Sequence, residues 1–283
     1  MLLALFALVS CATPSTTKTY ETGRIRFDKL QTEIDKPIVI TENTVILDAR
    51  APFEFALAHA PGSINLQWTD FTNQLPNVGP LKKDLSEESR RLARYGIDKN
   101  SHVLILDQGQ DGFGEAGRLA WTLLYFGLDN IQVARFDKVG LRFNNVNPAP
   151  IVSKSYWKPQ YIPQIEISKK QFIDGLNGRA TNKFHIIDVR SREEYFSKNK
   201  RLQYEVPDLG AIHIHWREFY LSNGRPNPHI VNQLRAIGVG LNDQVVVISE
   251  MGRRSGAVTF ALLSLGYKKA SNFSGGYNQL LRR

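Results

Sequence analysis

Short runs of consecutive apolar residues recur along the chain: VILDA at 45–49, VLILD at 103–107, FHIIDV at 184–189 and VVVIS at 245–249. Unbroken apolarity rich in β-branched residues predicts strands buried on both faces, the pattern of a parallel sheet. Between them, LSEESRRLARYG (85–96) and PHIVNQLRAIGV (228–239) place apolar residues every three to four positions. That spacing predicts helices, with Gly96 and Gly238 at their C-terminal ends and the neighbourhood of Ser86, Glu88 and Ser89 as an N-terminal cap region. Strands alternating with helices predict an α/β architecture around a central, mostly parallel sheet flanked by helices.

The pattern occurs twice. Val45-Ile-Leu-Asp-Ala-Arg50 is echoed by His185-Ile-Ile-Asp-Val-Arg190, and Ala60-Pro-Gly-Ser-Ile-Asn65 by Asp208-Leu-Gly-Ala-Ile-His213. Each is followed by an aromatic cluster, Trp68 with Phe71 and Trp216 with Phe219. The later strands, Val103–Asp107 and Val245–Ser249, both run through a glycine-containing turn into an apolar helical stretch ending in glycine, GEAGRLAWTLLYFGL and RSGAVTFALLSLGY. Landmarks in the same order predict a duplicated domain. The first unit is expected over 24–140 and the second over 165–283. Between them, 141–164 carries four prolines and no clear period; it reads as a linker, with Tyr156, Trp157 and Tyr161 to lay it on a surface.

Composition adds one asymmetry. Hydrophobic content of 42% and charged content of 22% are those of a globular chain with a sizeable core. The net charge is +9, but residues 1–150 hold 16 Lys/Arg against 17 Asp/Glu while 151–283 hold 20 against 10. The excess in the second half suits an anionic partner or membrane surface, or simply a solvated basic face. No base-stacking motif accompanies it, so nucleic acid is not an expected partner.

Cys11 is the single cysteine, so the chain cannot form an internal disulfide. It follows ten apolar or small residues, and Leu8-Val9-Ser10-Cys11 resembles the lipobox of bacterial lipoproteins. That resemblance implies a signal over 1–10, acylation of Cys11 as the new N-terminus, and a tether over 11–23. The apolar run is shorter than the roughly 20 residues a spanning helix needs, and acyl chains would anchor the protein instead. Ala12 then implies the outer membrane, facing the periplasm. Against the pattern, no Lys or Arg precedes the apolar run, although a secretory signal normally has a basic n-region; the alternative is an apolar N-terminus with a chance cysteine.

Together these features resemble a tandem rhodanese, the thiosulfate sulfurtransferase family. In the second unit the resemblance rests on Asp188 and Arg190, on Gly210-Ala-Ile-His-Ile214, on the loop Gly252-Arg253-Arg254-Ser255 and on Gly275-Gly276-Tyr277. In the first it rests on Asp48, Arg50 and Glu54, with His59-Ala-Pro-Gly-Ser-Ile64. Asp48 with Arg50, and Asp188 with Arg190, read as structural carboxylate–guanidinium pairs just past strand ends. Gly62 and Gly210 suit turns that other residues would strain.

In active members the loop reads Cys-x-x-Gly-x-Arg, and the cysteine carries sulfur as a persulfide. Backbone N–H groups and the start of the following helix lower the thiol pKa, and the arginine holds an anionic donor. Here Gly252 and Arg254 match the glycine and arginine, which places Ser249 at the cysteine. Four residues separate Ser249 from Arg254, the sulfurtransferase length rather than the five of dual-specificity phosphatases. The first unit offers Asp107 at the equivalent position, consistent with the non-catalytic first domain of tandem members. A serine hydroxyl has a far higher pKa than a thiol and forms no stable S–S bond, so the expectation is an inactive, sulfurtransferase-like binding or scaffolding protein. Its site would be the loop Ser249, Glu250, Met251, Gly252, Arg253, Arg254, and its expected partner a small oxyanion or an acidic protein group. Glu250 works against that partner. Two alternatives remain open. One is an active sulfurtransferase holding sulfur on an external thiol. The other is a serine hydrolase using Ser249 with His213 or His215 as base. His213 and His215, two apart on a strand, also form a formal metal pair, but no third ligand is visible; neither a metal nor a cofactor is expected.

Overall fold

A computed structural model describes residues 23–73, 78–145, 152–178, 184–196 and 208–282. Cys11 and the signal over 1–10 lie outside the described residues, as does all of the tether but Gly23. The first unit runs α1 (Phe27–Asp35), β1 (Thr44–Asp48), α2 (Pro52–Leu57), β2 (Ile64–Asn65), α3 (Ser86–Arg94), β3 (His102–Asp107), α4 (Glu115–Tyr125) and β4 (Ile131–Arg135). The second runs α5 (Lys169–Leu176), β5 (His185–Asp188), α6 (Arg192–Phe196), β6 (Ile212–His213), α7 (Ile230–Ala236), β7 (Val245–Ile248), α8 (Arg253–Ser264), β8 (Ala270–Asn272) and α9 (Gly276–Leu280). Among the described residues no helix is long and apolar enough to cross a membrane.

Each unit holds a four-stranded parallel sheet, ordered β2-β1-β3-β4 in the first and β6-β5-β7-β8 in the second. The two middle strands of each are the apolar runs of the sequence; from Val103 to Asp107, and over all of β7, every residue is buried. Of the edge strands, β2, β6 and β8 are too short to show as apolar runs, and Gln132 interrupts β4. The aromatic clusters form short 3-10 turns, in which Trp68, Phe71, Trp216 and Phe219 are buried. Parallel strands bring the loops after β3 and β7 to the C-terminal edge of their sheets, where ligand sites of open α/β sheets form.

One helix start differs from expectation. Ser86 is the first helical residue of α3 and does not cap it; its N–H donates to Asp84 Oδ1 at 2.9 Å. An aspartate two residues upstream reaches that amide in an Asx turn, which a serine inside the first turn cannot do. The two C-terminal glycines do adopt left-handed conformations, with φ of 75° at Gly96 and 86° at Gly238.

The two units share one apolar core. Leu47 and Ile105 of the first sheet and Val245 and Val247 of the second all belong to it, joined through the packed faces of α4 and α8. Its centre is a close crossing of those two helices. A Cβ on Gly117 would lie 2.8 Å from Ala257 Cβ, and one on Gly114 would lie 2.9 Å from the same atom. Only glycine lets the two backbones approach this closely. From 152 to 162 the chain between the units lies on the first unit: Trp157 Nε1 donates to the Ile97 carbonyl at 3.0 Å, and the Ile162 N–H to the Tyr125 carbonyl at 2.9 Å.

Candidate functional site

Ser249 follows β7 and is 1% exposed. Its hydroxyl faces into the protein. Ser255 O–H donates to Asn272 Oδ1 at 2.7 Å, so Ser255 Oγ is left to accept from Ser249 O–H at 3.0 Å. In return the Ser255 N–H donates to Ser249 Oγ at 3.2 Å. Asn272 Nδ2 then reaches the Gly252 carbonyl at 3.3 Å and closes the network on the loop.

The loop backbone is fixed from below and from the side. Gly276, at φ 55°, lies directly under it, and a Cβ there would stand 2.5 Å from the Glu250 carbonyl oxygen. The Ser249 and Glu250 carbonyls accept from the N–H groups of Tyr277 and Asn278, at 3.0 and 2.9 Å. Tyr277 O–H in turn donates to Asp188 Oδ2 at 3.1 Å. From the first unit, the fully buried Arg118 donates to the Gly252 carbonyl at 3.0 Å and to the Gly79 carbonyl at 2.6 Å. Burial presses the Arg118 guanidinium toward its neutral form, and the buried carboxyl of Glu166 opposes this.

With the carbonyls turned inward, the N–H groups of Glu250, Met251 and Gly252, and those of Arg253 and Arg254 in the first turn of α8, find no acceptor among the described residues. Five consecutive amides at a helix start are an anion-binding arrangement.

The arginine side chains are committed elsewhere. Arg254 makes a two-pronged ion pair with Glu194, at 2.5 and 2.7 Å. Burial alone would raise the Glu194 carboxyl, but Arg254, the Ser191 N–H and Arg190 outweigh it and hold the group at about 2. Arg253 reaches across to the first unit, 3.1 Å from Glu115, with its guanidinium 4.8 Å from the centre of the Phe113 ring.

The two Asp–Arg pairs are buried and alike. Arg50 Nη2 lies 2.6 Å from Asp48 Oδ2, and Arg190 Nη2 lies 2.7 Å from Asp188 Oδ2. Arg50 also donates to the Ala58 carbonyl, and Arg190 stacks on Tyr277 at 3.8 Å. His213 sits against Tyr195 with Nε2 2.9 Å from the Arg190 carbonyl. Burial, then Arg217 and Arg254, lower the pKa of His215. Neither imidazole hydrogen-bonds to Ser249, and no group of three or more metal-binding side chains occurs among the described residues.

In the first unit, Asp107 accepts from the Gly109 N–H at 2.7 Å and from the Ala116 N–H, in the first turn of α4, at 2.9 Å. Burial raises its carboxyl to about 7 despite these two amides, with Glu115 and Asp48 adding to the effect. A cavity of about 420 Å3 opens beside it, with Glu54, Phe53 and Phe113 in its wall.

Sequence reasoning missed Glu194, Arg118 and Glu115, and gave Ser255, although quoted within the loop, no partner. Glu194 had a signal: it stands six residues after Asp188, as Glu54 stands six after Asp48. Arg118 and Glu115 carry none, because their partners are brought close only by the tertiary fold.

The family model for the rhodanese-like domain matches residues 28–135 and again 169–282. No curated protein sequence matches. Among solved structures, YnjE superposes with a TM-score of 0.67 at 18% identity, over 90% of this chain and 65% of that one. SseA from Escherichia coli, described with the rhodanese fold and mechanism of 3-mercaptopyruvate sulfotransferases, gives 0.65 at 18% identity, over 90% and 98%. A probable thiosulfate sulfurtransferase gives 0.61 at 20% identity, over 86% and 96%. This chain thus spans slightly under two thirds of YnjE but nearly the full length of the other two.

Proposed function

Because the chain belongs to the rhodanese-like domain family and carries that domain twice, we propose that it is a catalytically silent member whose second-unit loop binds rather than transfers. The observation that carries this reading is Ser249, with its hydroxyl spent on Ser255. Persulfide transfer needs a thiolate that attacks sulfur, holds it through an S–S bond and releases it to an acceptor. A hydroxyl does none of these. Cys11, the single cysteine, is committed in this reading to acyl chains.

The amide arc of 250–254 suits a small oxyanion such as thiosulfate, sulfate or phosphate, or an acidic group of a partner protein. Recognition rests on backbone N–H groups, since Arg253 and Arg254 already hold Glu115 and Glu194. In the same reading Cys11 anchors the protein in the cell envelope, at the outer membrane facing the periplasm.

Sulfur transfer from thiosulfate to cyanide tests the central claim, with the parent beside Ser249→Cys. The parent stays at the uncatalysed rate and the variant rises at least about tenfold above it. Turnover by the parent overturns the reading. Calorimetric titration with thiosulfate, sulfate and phosphate tests the binding half, and absence of heat at millimolar anion sinks it.

A further inference from the structure

We propose that the cavity where the described chain begins is a headgroup site for anionic lipid, which docks the protein on the bilayer that carries its anchor. This rests on the lipid-anchor reading of Cys11. The cavity, about 480 Å3, is lined by Ile25, Phe27, Ile162 and Ile165, with Arg24, Lys268 and Lys269 also on its wall. Ile162 and Ile165 are buried, whereas the three cations are exposed.

Three observations select the occupant. First, Arg24, Lys268 and Lys269 form no ion pair among the described residues; Lys268 lies 6.0 Å from the centre of the Phe27 ring. Asp129 is held by Arg26 and Lys29, and Asp243 accepts from the Gly240 N–H at 2.8 Å. Second, an apolar floor under a cationic rim matches a headgroup phosphate with the first methylenes of its chains, and not a bare inorganic anion. Third, Gly23 is itself in the cavity wall, twelve positions after Cys11. Anchoring Cys11 therefore holds this face near the membrane surface, where each Lys or Arg strengthens binding to anionic lipid about fivefold.

The test uses the full chain as Cys11→Ser, so that no acyl chain contributes, with vesicles of phosphatidylglycerol or of phosphatidylcholine. The expected result is co-sedimentation with the anionic vesicles only, weakening as salt rises. Arg24→Gln/Lys268→Gln/Lys269→Gln, with its melting temperature as a folding control, should bind about a hundredfold less. Lys268→Arg/Lys269→Arg should keep binding. Equal binding by the glutamine variant and its parent, or equal binding to neutral vesicles, overturns the proposal. So does competition by millimolar inorganic phosphate beyond that of chloride at matched ionic strength, which would assign the site to a free anion. An unmodified Cys11 in the intact mass of the membrane-purified parent would remove the anchor reading, while the Cys11→Ser protein reports the headgroup site separately.

Discussion

The loops after β3 and after β7 leave equivalent strands and enter equivalent helices, and in both the residue at the strand's end accepts a backbone N–H from the first turn of the helix. In the first unit Asp107 takes Ala116; in the second Ser249 takes Ser255. A carboxylate from the helix after the neighbouring strand, α2 or α6, also turns toward the loop in both, but Glu54 meets the neutral amide of Gln108 while Glu194 meets the Arg254 guanidinium. The first loop therefore buries a carboxyl held by backbone N–H groups alone, and the second pairs its arginines with carboxylates from outside the loop and leaves an arc of free amides. One backbone plan supports both because the sheet and helix fix the N–H groups, whereas the side chain at the strand end decides what they hold.

The largest expected effect comes from the uncompensated carboxyl. Asp107 has a folded pKa of about 7, above the roughly 3.9 of a free aspartate. Below about pH 4 it is protonated in both states. As pH rises toward 7 the unfolded chain ionises first, so stability falls through that window. Against the parent, Asp107→Asn should gain about 4 kcal/mol between pH 4 and pH 7.5, read from urea unfolding. Parallel pH profiles would break the comparison.

Gly117→Leu attacks what both loops share, the crossing of α4 on α8. It should cost about 3 kcal/mol through overpacking; a melting temperature equal to the parent's would show that the crossing yields.

The charged side of the comparison predicts that Glu194→Gln costs about 2 kcal/mol at neutral pH and Glu54→Gln less than about 1 kcal/mol. The Glu194 contribution has the opposite sign of pH dependence to Asp107. Its depressed pKa gives stability that is complete above about pH 4.5 and lost as pH falls toward about 2. Equal costs for the two glutamine variants would remove the distinction between the loops. Ser255→Ala ranks beside Glu54→Gln at the low end, about 1 kcal/mol for its buried hydroxyl contacts, with anion binding at the amide arc unchanged.

Much of the fold was legible in the chain. The four apolar runs became the middle strands of two parallel sheets, because a strand buried on both faces leaves a signal that needs no knowledge of its neighbours. The edge strands β2, β6 and β8, at two or three residues, left no period to read. The α3 cap was misplaced because serine and aspartate near a helix start compete for the same amides, and only backbone geometry shows which one reaches.

The sequence by itself determined the duplication, the loop length and the serine at position 249, since all three are local in the chain or are comparisons of one stretch with another. Tertiary structure alone decided the state of the loop. The partners of Arg254, Arg253 and Arg118 lie 60, 138 and 134 positions away, and a guanidinium that looks free for a ligand in the sequence is neutralised once folding brings a carboxylate within hydrogen-bonding distance.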